Sequence, residues 1–596
     1  MRIENVVIHN WRSIADEEID FEELMIFIGQ NNHGKSNIIS SLLFFFGTIT
    51  HSDPDFHGSS NELFVEITFT DLDEFDQNQF KKYLSADNKI KVRKSVNGEG
   101  EVAYNGYLFA PTTDFLKEES ISALSKREEV EKTPLKDFIP SSGRLTKDII
   151  KAAQEEYTTA NHATLEFQYV LEQSAFLGAK NVAKGIFGDV YFIPAVKNAT
   201  DEFKMTGNSI FNQLFSQIIG KMSERNEYYK SARTQMQALT QILNKKNEQG
   251  EDNAERPSEI TTLEQNLENE LKKWNTTIDI EITPPNIDDV LKVNTSVWVD
   301  DGKKTDISRK GHGLQRSLIF ALIKSWAAYL KTERETKAEE EAAAETTTTQ
   351  KRKASDSTYF FFEEPELYLH PQAQKELYAS LKELSLSHNQ IVLSTHSASF
   401  LDLEDYKSIC IVNKVDTATG SKVRQFTTDI FEGNDKTNFN LVYWINPERS
   451  ELFFAKKVIL VEGATDKTII PRLAKAAGHF NFEYTVIECG GKDSIKLYIK
   501  LLNSFRIPYV AVYDQDHQAY KDANGHNSAD ISSAGIESVI NAGFGKSVIL
   551  VNDIEEEIGI TERNDKAKPY LALTQIARPE FTLSAGLAGK IAIIYE

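Results

Sequence analysis

The chain has 596 residues, too many for one hydrophobic core, and its 40% hydrophobic and 26% charged residues are typical of a globular protein with several domains. No apolar run approaches the roughly 20 residues that a membrane span needs, and two isolated cysteines exclude a zinc ribbon and a disulfide framework. The net charge of −22 argues against a protein that coats nucleic acid, although a basic groove or bound metal ions would still let an acidic chain hold DNA.

The first 75 residues predict strands around one helix. Polar and apolar residues alternate from Ile3 to Ile8, which predicts an edge strand and is unlike a signal peptide. We therefore expect a cytoplasmic protein without a membrane partner. Residues 25–28 predict a buried strand, and residues 36–46 predict an apolar helix.

A complete phosphate-binding motif, Gly-Gln-Asn-Asn-His-Gly-Lys-Ser, occupies residues 29–36 between that strand and that helix. Its glycines let backbone N–H groups turn toward phosphates, and the helix N-terminus adds partial positive charge. Lys35 would reach the outer phosphates and Ser36 would ligate Mg²⁺. We therefore predict that ATP binds here with Mg²⁺, and the residues expected around it are Gly29, Asn31, Asn32, Gly34, Lys35, Ser36 and Asn37.

The middle of the chain changes character. Apolar residues recur at three- and four-residue spacing in parts of 200–275, which predicts a helical arm inserted into the sheet domain. Strands are predicted again at 278–282 and 295–299. Residues 331–357 are charged and then rich in Ala and Thr without an apolar period, so we expect a disordered insertion there.

Acids and a histidine follow two later apolar strands. Residues 359–366, Tyr-Phe-Phe-Phe-Glu-Glu-Pro-Glu, predict a buried strand with carboxylates at its carboxyl end, where α/β sheets place ligands. We expect Glu363 to hold Mg²⁺ through water and Glu364 to orient the attacking water. His396 follows the next strand, where it is predicted to sense the γ-phosphate.

A degenerate signature loop at 308–316 precedes an apolar helix, and it is predicted to contact ATP bound to a second head. Its nucleotide contacts would come from Gly311, Gly313 and Gln315. In this order the motifs resemble the SMC/RecF branch of ABC ATPases, where a helical arm splits the head. That branch commonly has Asp at the position of Glu363, and this departure leaves open whether ATP is hydrolysed efficiently.

The C-terminal part alternates short Val/Ile-rich strands with helices, which predicts a parallel α/β unit. Carboxylates follow successive strands: Glu462, Asp466 one helical turn later, and the pair Asp514 and Asp516. Carboxyl ends of parallel strands meet at one sheet edge, where a cluster of like charges is costly without cations. Oxygen ligands favour Mg²⁺ or Mn²⁺, and two such ions would support phosphodiester cleavage.

The sequences VEGATDK, GG and DQD in this order resemble a TOPRIM domain. An ABC head followed by TOPRIM is similar to the OLD (overcoming lysogenization defect) family of endonucleases, which includes the Gabija defence nuclease. The resemblance implies that Asp553 and Glu555 are ligands of a second metal and that Lys568 stabilises the scissile phosphate. Asp466 stands where many members have Glu, and the shorter side chain puts its ligand role in question.

This resemblance implies a multidomain α/β fold. An ABC-type P-loop ATPase head would occupy 1–199 and 276–430, interrupted by a helical dimerisation arm at 200–275 and followed by a Rossmann-like TOPRIM nuclease domain at 431–596. It implies an ATP-binding, metal-dependent DNA endonuclease, assembled as a homodimer or tetramer. A role in defence against phage, with a helicase or another partner, is also implied by the family and by no residue here.

Three other interpretations remain open. A DNA-repair ATPase of the RecF/SMC kind would bind DNA without cutting it, which leaves the C-terminal carboxylates unexplained. A topoisomerase or primase would also use TOPRIM, but a primase is expected to bring a zinc ribbon and gyrase-like enzymes use a different ATP fold. A nucleotide sensor that acts through a partner enzyme is the third.

Overall fold

The structure, a computed structural model, describes residues 1–60, 62–162, 164–172, 174–178, 185–195, 226–246, 255–271, 277–281, 297–315, 317–322, 324–325, 357–386, 389–416, 418–430, 447–560 and 567–596, with the shorter pieces 209, 211–212, 215, 253 and 355. The chain divides into two compact units. One comprises 1–194, 349–366 and 374–596, and the other comprises 195–348 and 367–373. The domain boundaries expected at 199, 275 and 430 stay predictions.

The chain mixes strands and helices throughout. In chain order the strands are β1 Arg2–Trp11, β2 Ile14–Asp20, β3 Leu24–Ile28, β4 Leu63–Thr70, β5 Ile90–Val96, β6 Val102–Pro111, β7 Phe167–Leu171, β8 Asp189–Ile193, β9 Trp298–Asp300, β10 Lys304–Asp306, β11 Thr358–Glu363, β12 Asn389–Ser394, β13 Ile409–Asp416, β14 Gly420–Arg424, β15 Lys457–Val461, β16 Tyr484–Glu488, β17 Tyr509–Asp514 and β18 Gly545–Leu550. The α-helices are α1 Lys35–Phe45, α2 Glu74–Gln79, α3 Ile121–Leu124, α4 Arg127–Val130, α5 Lys147–Ala160, α6 Glu227–Leu243, α7 Ser258–Glu270, α8 Pro371–Ser385, α9 Ala464–Ala477, α10 Lys492–Ser504, α11 Ala523–Glu537, α12 Ile554–Glu557, α13 Lys568–Ile576 and α14 Ala585–Tyr595.

A twelve-stranded sheet forms the N-terminal part of the first unit, in the order β7-β6-β5-β4-β1-β2-β14-β13-β3-β12-β11-β8. Strands β13, β3, β12, β11 and β8 run parallel to one another. All five residues of β3 are buried, as expected for a parallel strand that is covered on both faces. Helix α1 packs Ile38, Leu42 and Phe45 into the core beside this sheet.

The prediction of an edge strand at Ile3–Ile8 is wrong. Strand β1 pairs with β2 on one side and with β4 on the other. Strands β5, β6 and β7 then extend the sheet beyond β4, so that the described edge strands are β7 and β8. The partners of β1 come from residues 14–20 and 63–70, and the strands beyond β4 come from residues 90–171. This extension of the sheet is not visible in the local alternation of Ile3–Ile8.

The second unit contains the helical arm. Helices α6 and α7 confirm the helical prediction for the described part of 200–275. Arg256 lies between the two helices and donates to both carboxylate oxygens of Glu264 in α7, at 2.8 and 2.6 Å. Its Nε also donates to the carbonyl oxygen of Leu243 at the end of α6, at 3.1 Å. Leu214 and Ile218, which contributed to the predicted period, lie outside the described residues.

The strand predicted at 278–282 is wrong for its described residues. The backbone N–H groups of Ile278 and Ile280 donate to the carboxylates of Glu268 and Glu264, so helix side chains take the place of a neighbouring strand. The strand predicted at 295–299 is found as β9, which begins only at Trp298 and pairs with β10.

The predicted disordered insertion needs one correction at its end. Ser355 and Ser357 are buried, and Ser355 Oγ donates to Asp76 Oδ2 at 3.2 Å, because these residues lead directly into β11. The remainder of that insertion lies outside the described residues. None of the helices in the described ranges is long and apolar enough to cross a membrane.

A separate four-stranded parallel sheet, in the order β16-β15-β17-β18, forms the C-terminal part of the first unit. Its central strands β15 and β17 are almost completely buried. One hydrophobic cluster joins β15, β17 and β18 to helices α9, α13 and α14. This sheet confirms the parallel α/β unit predicted from residue 457 onward.

Candidate functional site

Three adjacent parallel strands bring the predicted nucleotide-binding residues of the first unit to one sheet edge. The phosphate-binding loop follows β3, His396 follows β12, and Glu363 ends β11. Strand β12 lies between the other two, and Glu363 is in register with Ser394 at the end of β12. The loop, the acids and the histidine therefore lie at the same edge of the sheet, as the motif order predicts.

The glycines of the loop are fixed by close contacts. A Cβ on Gly29 would lie 2.2 Å from the carbonyl oxygen of Val412 in β13. Gly34, with a φ of 104°, precedes α1, and a Cβ there would lie 2.4 Å from Ser421 Oγ and 2.8 Å from Ser13 Oγ. Only glycine fits at either position without displacing a neighbour.

Polar contacts also hold the start of α1. Asn37 donates from Nδ2 to Ser13 Oγ at 2.7 Å, which ties the helix to the segment between β1 and β2. Asn31, Asn32 and Ser36 are exposed at the mouth of the loop. These exposed positions are compatible with the predicted phosphate and Mg²⁺ contacts.

Lys35 is buried, with its ammonium turned back onto the loop. It donates to the carbonyl oxygens of Gly29 and Gln30, each at 3.0 Å. Burial lowers the pKa of Lys35 to about 8, although the charges of Glu364 and Glu366 oppose this shift.

The acids after β11 surround His396. Glu364 has a φ of 42°, and its backbone N–H donates to the carbonyl oxygen of Ser394 at 2.8 Å. His396 Nε2 lies 3.5 Å from Glu364 Oε1 and has no hydrogen bond to a described residue. Burial, and then the charge of Lys35, lower the pKa of His396, so the imidazole is neutral near pH 7.

Glu366 is a residue of this site to which the sequence alone assigned no role. Its Oε1 accepts a hydrogen bond from the backbone N–H of His396 at 2.6 Å, and its Oε2 is buried with no hydrogen-bond partner in the described part of the chain. Burial raises the pKa of Glu366. The last acid of the EEPE motif could have been recognised in the sequence. The contact of Glu366 with the loop after β12, however, forms only in the folded protein.

The predicted signature loop belongs to the second unit. Gln315 is buried, and its Nε2 donates to the carbonyl oxygens of Ile307 and Lys310 at 3.2 and 2.7 Å, so its side chain closes its own loop. A Cβ on Gly311 would meet no atom of the described residues within 4 Å, and a Cβ on Gly313 would lie 3.4 Å from Tyr368 O. Contact of these three residues with ATP of a second head stays a prediction.

In the C-terminal sheet, the predicted carboxylates also meet at one edge. Glu462 follows β15 and accepts a hydrogen bond at Oε1 from the backbone N–H of Asp514, which ends β17, at 2.7 Å. Asp466 lies in the first turn of α9, where its Oδ2 accepts from the backbone N–H of Gly463 at 3.2 Å. Asp516, with a φ of 66°, donates its backbone N–H to Asn552 O after β18 at 3.0 Å.

Burial and like charge destabilise the ionised form of these carboxylates. Burial, helped by the charge of Asp516, raises the pKa of Glu462 to about 7. Burial and the neighbouring carboxylates also raise the pKa values of Asp466 and Asp514. The Oδ1 atoms of Asp466 and Asp514 are buried with no hydrogen-bond partner among the residues described.

These two oxygens fit a hard divalent cation, because they are acceptors that no donor in the described ranges satisfies. In the present arrangement, no three His, Cys, Asp or Glu side chains of the described residues are already converged for metal binding. The carboxylates are thus neighbours whose side chains would have to rearrange to share an ion.

The second predicted ligand pair lies after β18. Asp553 is buried and caps α12, accepting at Oδ1 from the backbone N–H of Glu556 at 2.9 Å. Glu555 is half-buried, and its charge contributes to the raised pKa of Asp466. Lys568 is the first residue of α13, which packs against α9. Their roles as metal ligands and phosphate contact stay predictions.

Three polar residues around the carboxylates were not predicted from the sequence. Lys492, just after the Gly490-Gly491 pair, donates to the carbonyl oxygen of Asp514 at 2.5 Å, and Lys521 donates to Asp516 Oδ1 at 2.8 Å. Gln518 is buried and donates to Asp553 Oδ2 at 3.1 Å. A buried cluster of acids needs positive partners. Lysines close in sequence to the acids could therefore have been predicted to contact them.

Two family models match separate parts of the chain. A family model described as AAA ATPase domain matches residues 1–401, and one described as overcoming lysogenization defect protein-like TOPRIM domain matches residues 453–516. The chain belongs to the AAA ATPase domain family. With the second match, its architecture is that of an OLD-family protein, in which an ATPase domain precedes an OLD-like TOPRIM domain.

Three relatives match this chain over most or part of its length. The Old nuclease of Escherichia phage P2 is 23% identical over 562 residues, which cover 91% of this chain and 83% of that protein. The OLD nuclease of Thermus scotoductus is 35% identical over 35% of this chain and 42% of its own length. Endonuclease GajA of Bacillus cereus is 25% identical over 26% of this chain and 25% of its own length.

Proposed function

We propose that this OLD-family protein is an ATP-binding, divalent-metal-dependent DNA endonuclease whose TOPRIM carboxylates carry the cleavage. The observation that carries the proposal is the pair of buried, unpartnered oxygens on Asp466 and Asp514, at the sheet edge that also holds Glu462. The relatives that match this chain over most or part of its length are named nucleases, which supports cleavage of nucleic acid as the reaction.

The carboxylates divide into two ligand sets in this proposal. Glu462, Asp466, Asp514 and Asp516 would hold one Mg²⁺ or Mn²⁺, and Asp553 and Glu555 would contribute to a second. When bound, such ions supply a more acidic water and stabilise the leaving oxygen of phosphodiester hydrolysis. Lys568 would stabilise the scissile phosphate, and the buried network around the carboxylates would hold them in place.

The nucleotide site would act as a regulator of cleavage. Phosphodiester hydrolysis is downhill and needs positioning and cations, so the TOPRIM chemistry does not require ATP energy. We propose that Lys35, Ser36 and Glu363 bind Mg²⁺-ATP, that Glu364 and His396 sense or hydrolyse it, and that occupancy alters access to the nuclease groove.

We also propose a homodimer or a higher assembly. A signature loop acts on nucleotide held by a second head, and helices α6 and α7 expose Leu239, Leu263 and Leu267 with 59%, 50% and 39% of their surface accessible. A role in phage defence, with a helicase or another partner, would follow from the family.

Plasmid cleavage separates this proposal from its competitors. The pure protein is incubated with plasmid and Mg²⁺ or Mn²⁺, with and without ATP and with EDTA as control. Metal-dependent conversion of supercoiled DNA to nicked or linear forms is expected. ATP-dependent DNA binding without any cleavage would instead favour the DNA-repair ATPase.

A further inference from the structure

The loop between β17 and α11, residues 515–522, folds back onto the acid cluster. The backbone N–H of Lys521 donates to Gln518 O at 2.9 Å, and this turn directs the Lys521 ammonium to Asp516 Oδ1 at 2.8 Å. The other carboxylate oxygen of Asp516 lies 3.5 Å from the ammonium of Lys492. Both oxygens of a carboxylate expected to ligate metal therefore face protein cations.

The two lysines are held in different ways. The Lys492 side chain is only 9% exposed, and its ammonium donates to the backbone oxygen of Asp514, so its departure would leave a buried acceptor unsatisfied. The Lys521 side chain is 30% exposed and pairs with a carboxylate that is 23% exposed. Lys521 can therefore leave toward solvent at a much smaller cost.

Positive charge is concentrated on one carboxylate of the cluster. Burial tends to raise the pKa of Asp516, but the hydrogen bond and charge of Lys521, followed by the charge of Lys492, hold it below its ordinary value. Burial instead raises the pKa values of Glu462 and Asp514. Asp516 is the carboxylate of the cluster whose two oxygens each face a lysine ammonium, at 2.8 Å from Lys521 and 3.5 Å from Lys492.

We propose that Lys521 is an exchangeable internal counter-ion: it neutralises Asp516 while the site is free of metal, and it leaves when Asp516 becomes a ligand of a divalent cation. This inference rests on the proposed metal site. The ammonium and the cation compete for the same carboxylate oxygen, so Lys521 sets the metal concentration at which the cluster fills. Once released, it projects toward solvent from the same sheet edge.

Removal of the competitor should raise metal affinity. Mn²⁺ is titrated into the full-length, nucleotide-free protein, and free Mn²⁺ is followed by its electron paramagnetic resonance signal. Lys521→Met is expected to bind Mn²⁺ about tenfold more tightly than wild type, because a charge-assisted hydrogen bond no longer has to be broken. Lys521→Arg restores the competing charge and is expected to bind as wild type or more weakly.

A matched control lies in the same domain. Lys456 pairs with Glu483 at 3.0 Å just before β15 and β16, away from the cluster, so Lys456→Met removes a lysine–carboxylate ion pair that is more exposed than that of Lys521. Its Mn²⁺ affinity should equal that of wild type. In the absence of metal, Lys521→Met should also melt at a lower temperature than wild type, and saturating Mn²⁺ should remove that difference.

Titration of Asp514→Asn with Mn²⁺ distinguishes two possible failures. Either the counter-ion role of Lys521 is wrong, or the proposed metal site itself is wrong. If Asp514→Asn loses tight Mn²⁺ binding but Lys521→Met binds as wild type or more weakly, the counter-ion role of Lys521 is wrong and the metal site stands. If Asp514→Asn binds Mn²⁺ as wild type does, the proposed metal site itself is wrong and the inference fails with it.

Discussion

At the scale of single residues, Asp514 illustrates a conflict between stability and function. Its carboxylate is buried beside Asp466 and Glu462, and its Oδ1 has no hydrogen-bond partner within the described ranges. In a metal-free protein the ionised form is therefore penalised by burial and by like charge. The buried carboxylate therefore lowers the stability of the metal-free protein, and bound cations would offset this loss.

Asp514→Asn is therefore expected to stabilise the metal-free protein. Removal of the buried charge should raise the free energy of unfolding in EDTA by roughly 1–3 kcal/mol. Added Mg²⁺ should raise the melting temperature of wild type and leave that of the variant nearly unchanged. Thermal unfolding by circular dichroism measures both, with Asp530→Asn as an exposed carboxylate control. A variant less stable than wild type in EDTA would contradict this reasoning.

Glu366 is the comparable residue of the nucleotide site. Because it accepts the backbone N–H of His396, we expect it to position that histidine without touching the nucleotide. Glu366→Ala should lower kcat for ATP hydrolysis by between about tenfold and a hundredfold while KM changes little. Glu366→Gln keeps an acceptor oxygen and should recover most of the rate. Phosphate release assays decide this, and an Ala variant that changes only KM would exclude a positioning role.

At the scale of elements, the loop between β3 and α1 depends on close packing against β13 and β14. Gly34→Ala would place a Cβ 2.4 Å from Ser421 Oγ at a φ of 104°. Gly143 has nearly the same φ, 102°, but no described atom within 4 Å of such a Cβ. Gly34→Ala and Gly143→Ala therefore share the backbone strain, and only Gly34→Ala adds a steric conflict at the phosphate loop.

We expect Gly34→Ala to lose more stability than Gly143→Ala, by about 1–2 kcal/mol, because overpacking adds to the strain that both share. Its affinity for a fluorescent ATP analogue should fall at least about tenfold, while Gly143→Ala should bind as wild type. Equal ATP affinity in the two variants would show that the contact with Ser421 is unimportant for the nucleotide site.

The elements that position both sites could be predicted because their signals are local. An apolar strand followed by Gly29 or by Glu462, and then by a helix, is a contiguous pattern, and parallel strands necessarily bring such ends to one edge. The placement of β1 was wrong because a strand's position in a sheet depends on distant partners. The strand predicted at 278–282 failed because carboxylates of α7 bind its backbone donors.

The side chains around the carboxylates were harder to predict. Lys521 and Gln518 lie in a polar loop with no periodicity, and their contacts depend on how residues 515–522 turn back. Glu366 could be recognised as an acid of the motif, but its contact with the loop after β12 forms only once the sheet has folded. Charge balance within a buried cluster is a property of the tertiary structure, which spacing in the sequence does not encode.

At the scale of the whole molecule, the ATPase domain and the TOPRIM domain must communicate if ATP regulates cleavage. A nucleotide can bias access to the nuclease only to the extent that it binds two arrangements with different affinity, and a factor of ten corresponds to about 1.4 kcal/mol. We therefore expect ATP to change the rate of cleavage.

Plasmid cleavage measured against ATP concentration should therefore differ among wild type, Lys35→Ala and Glu364→Gln. Lys35→Ala should keep basal, metal-dependent cleavage and lose the ATP response, because its phosphate contact is gone. Glu364→Gln should retain ATP binding and respond at lower nucleotide concentration, because bound ATP is hydrolysed more slowly. Three identical, flat curves would mean that the ATPase domain does not regulate the nuclease.

The central claim, that the TOPRIM carboxylates cut DNA, is tested most directly by plasmid cleavage with Glu462→Ala and Asp514→Ala in Mg²⁺ or Mn²⁺. Both variants should lose metal-dependent cleavage while binding ATP as wild type does, because the nucleotide site lies in a different sheet. Glu483→Ala, at the opposite edge of the TOPRIM sheet, should cleave normally. Full cleavage by either Glu462→Ala or Asp514→Ala would contradict the assignment of the active site.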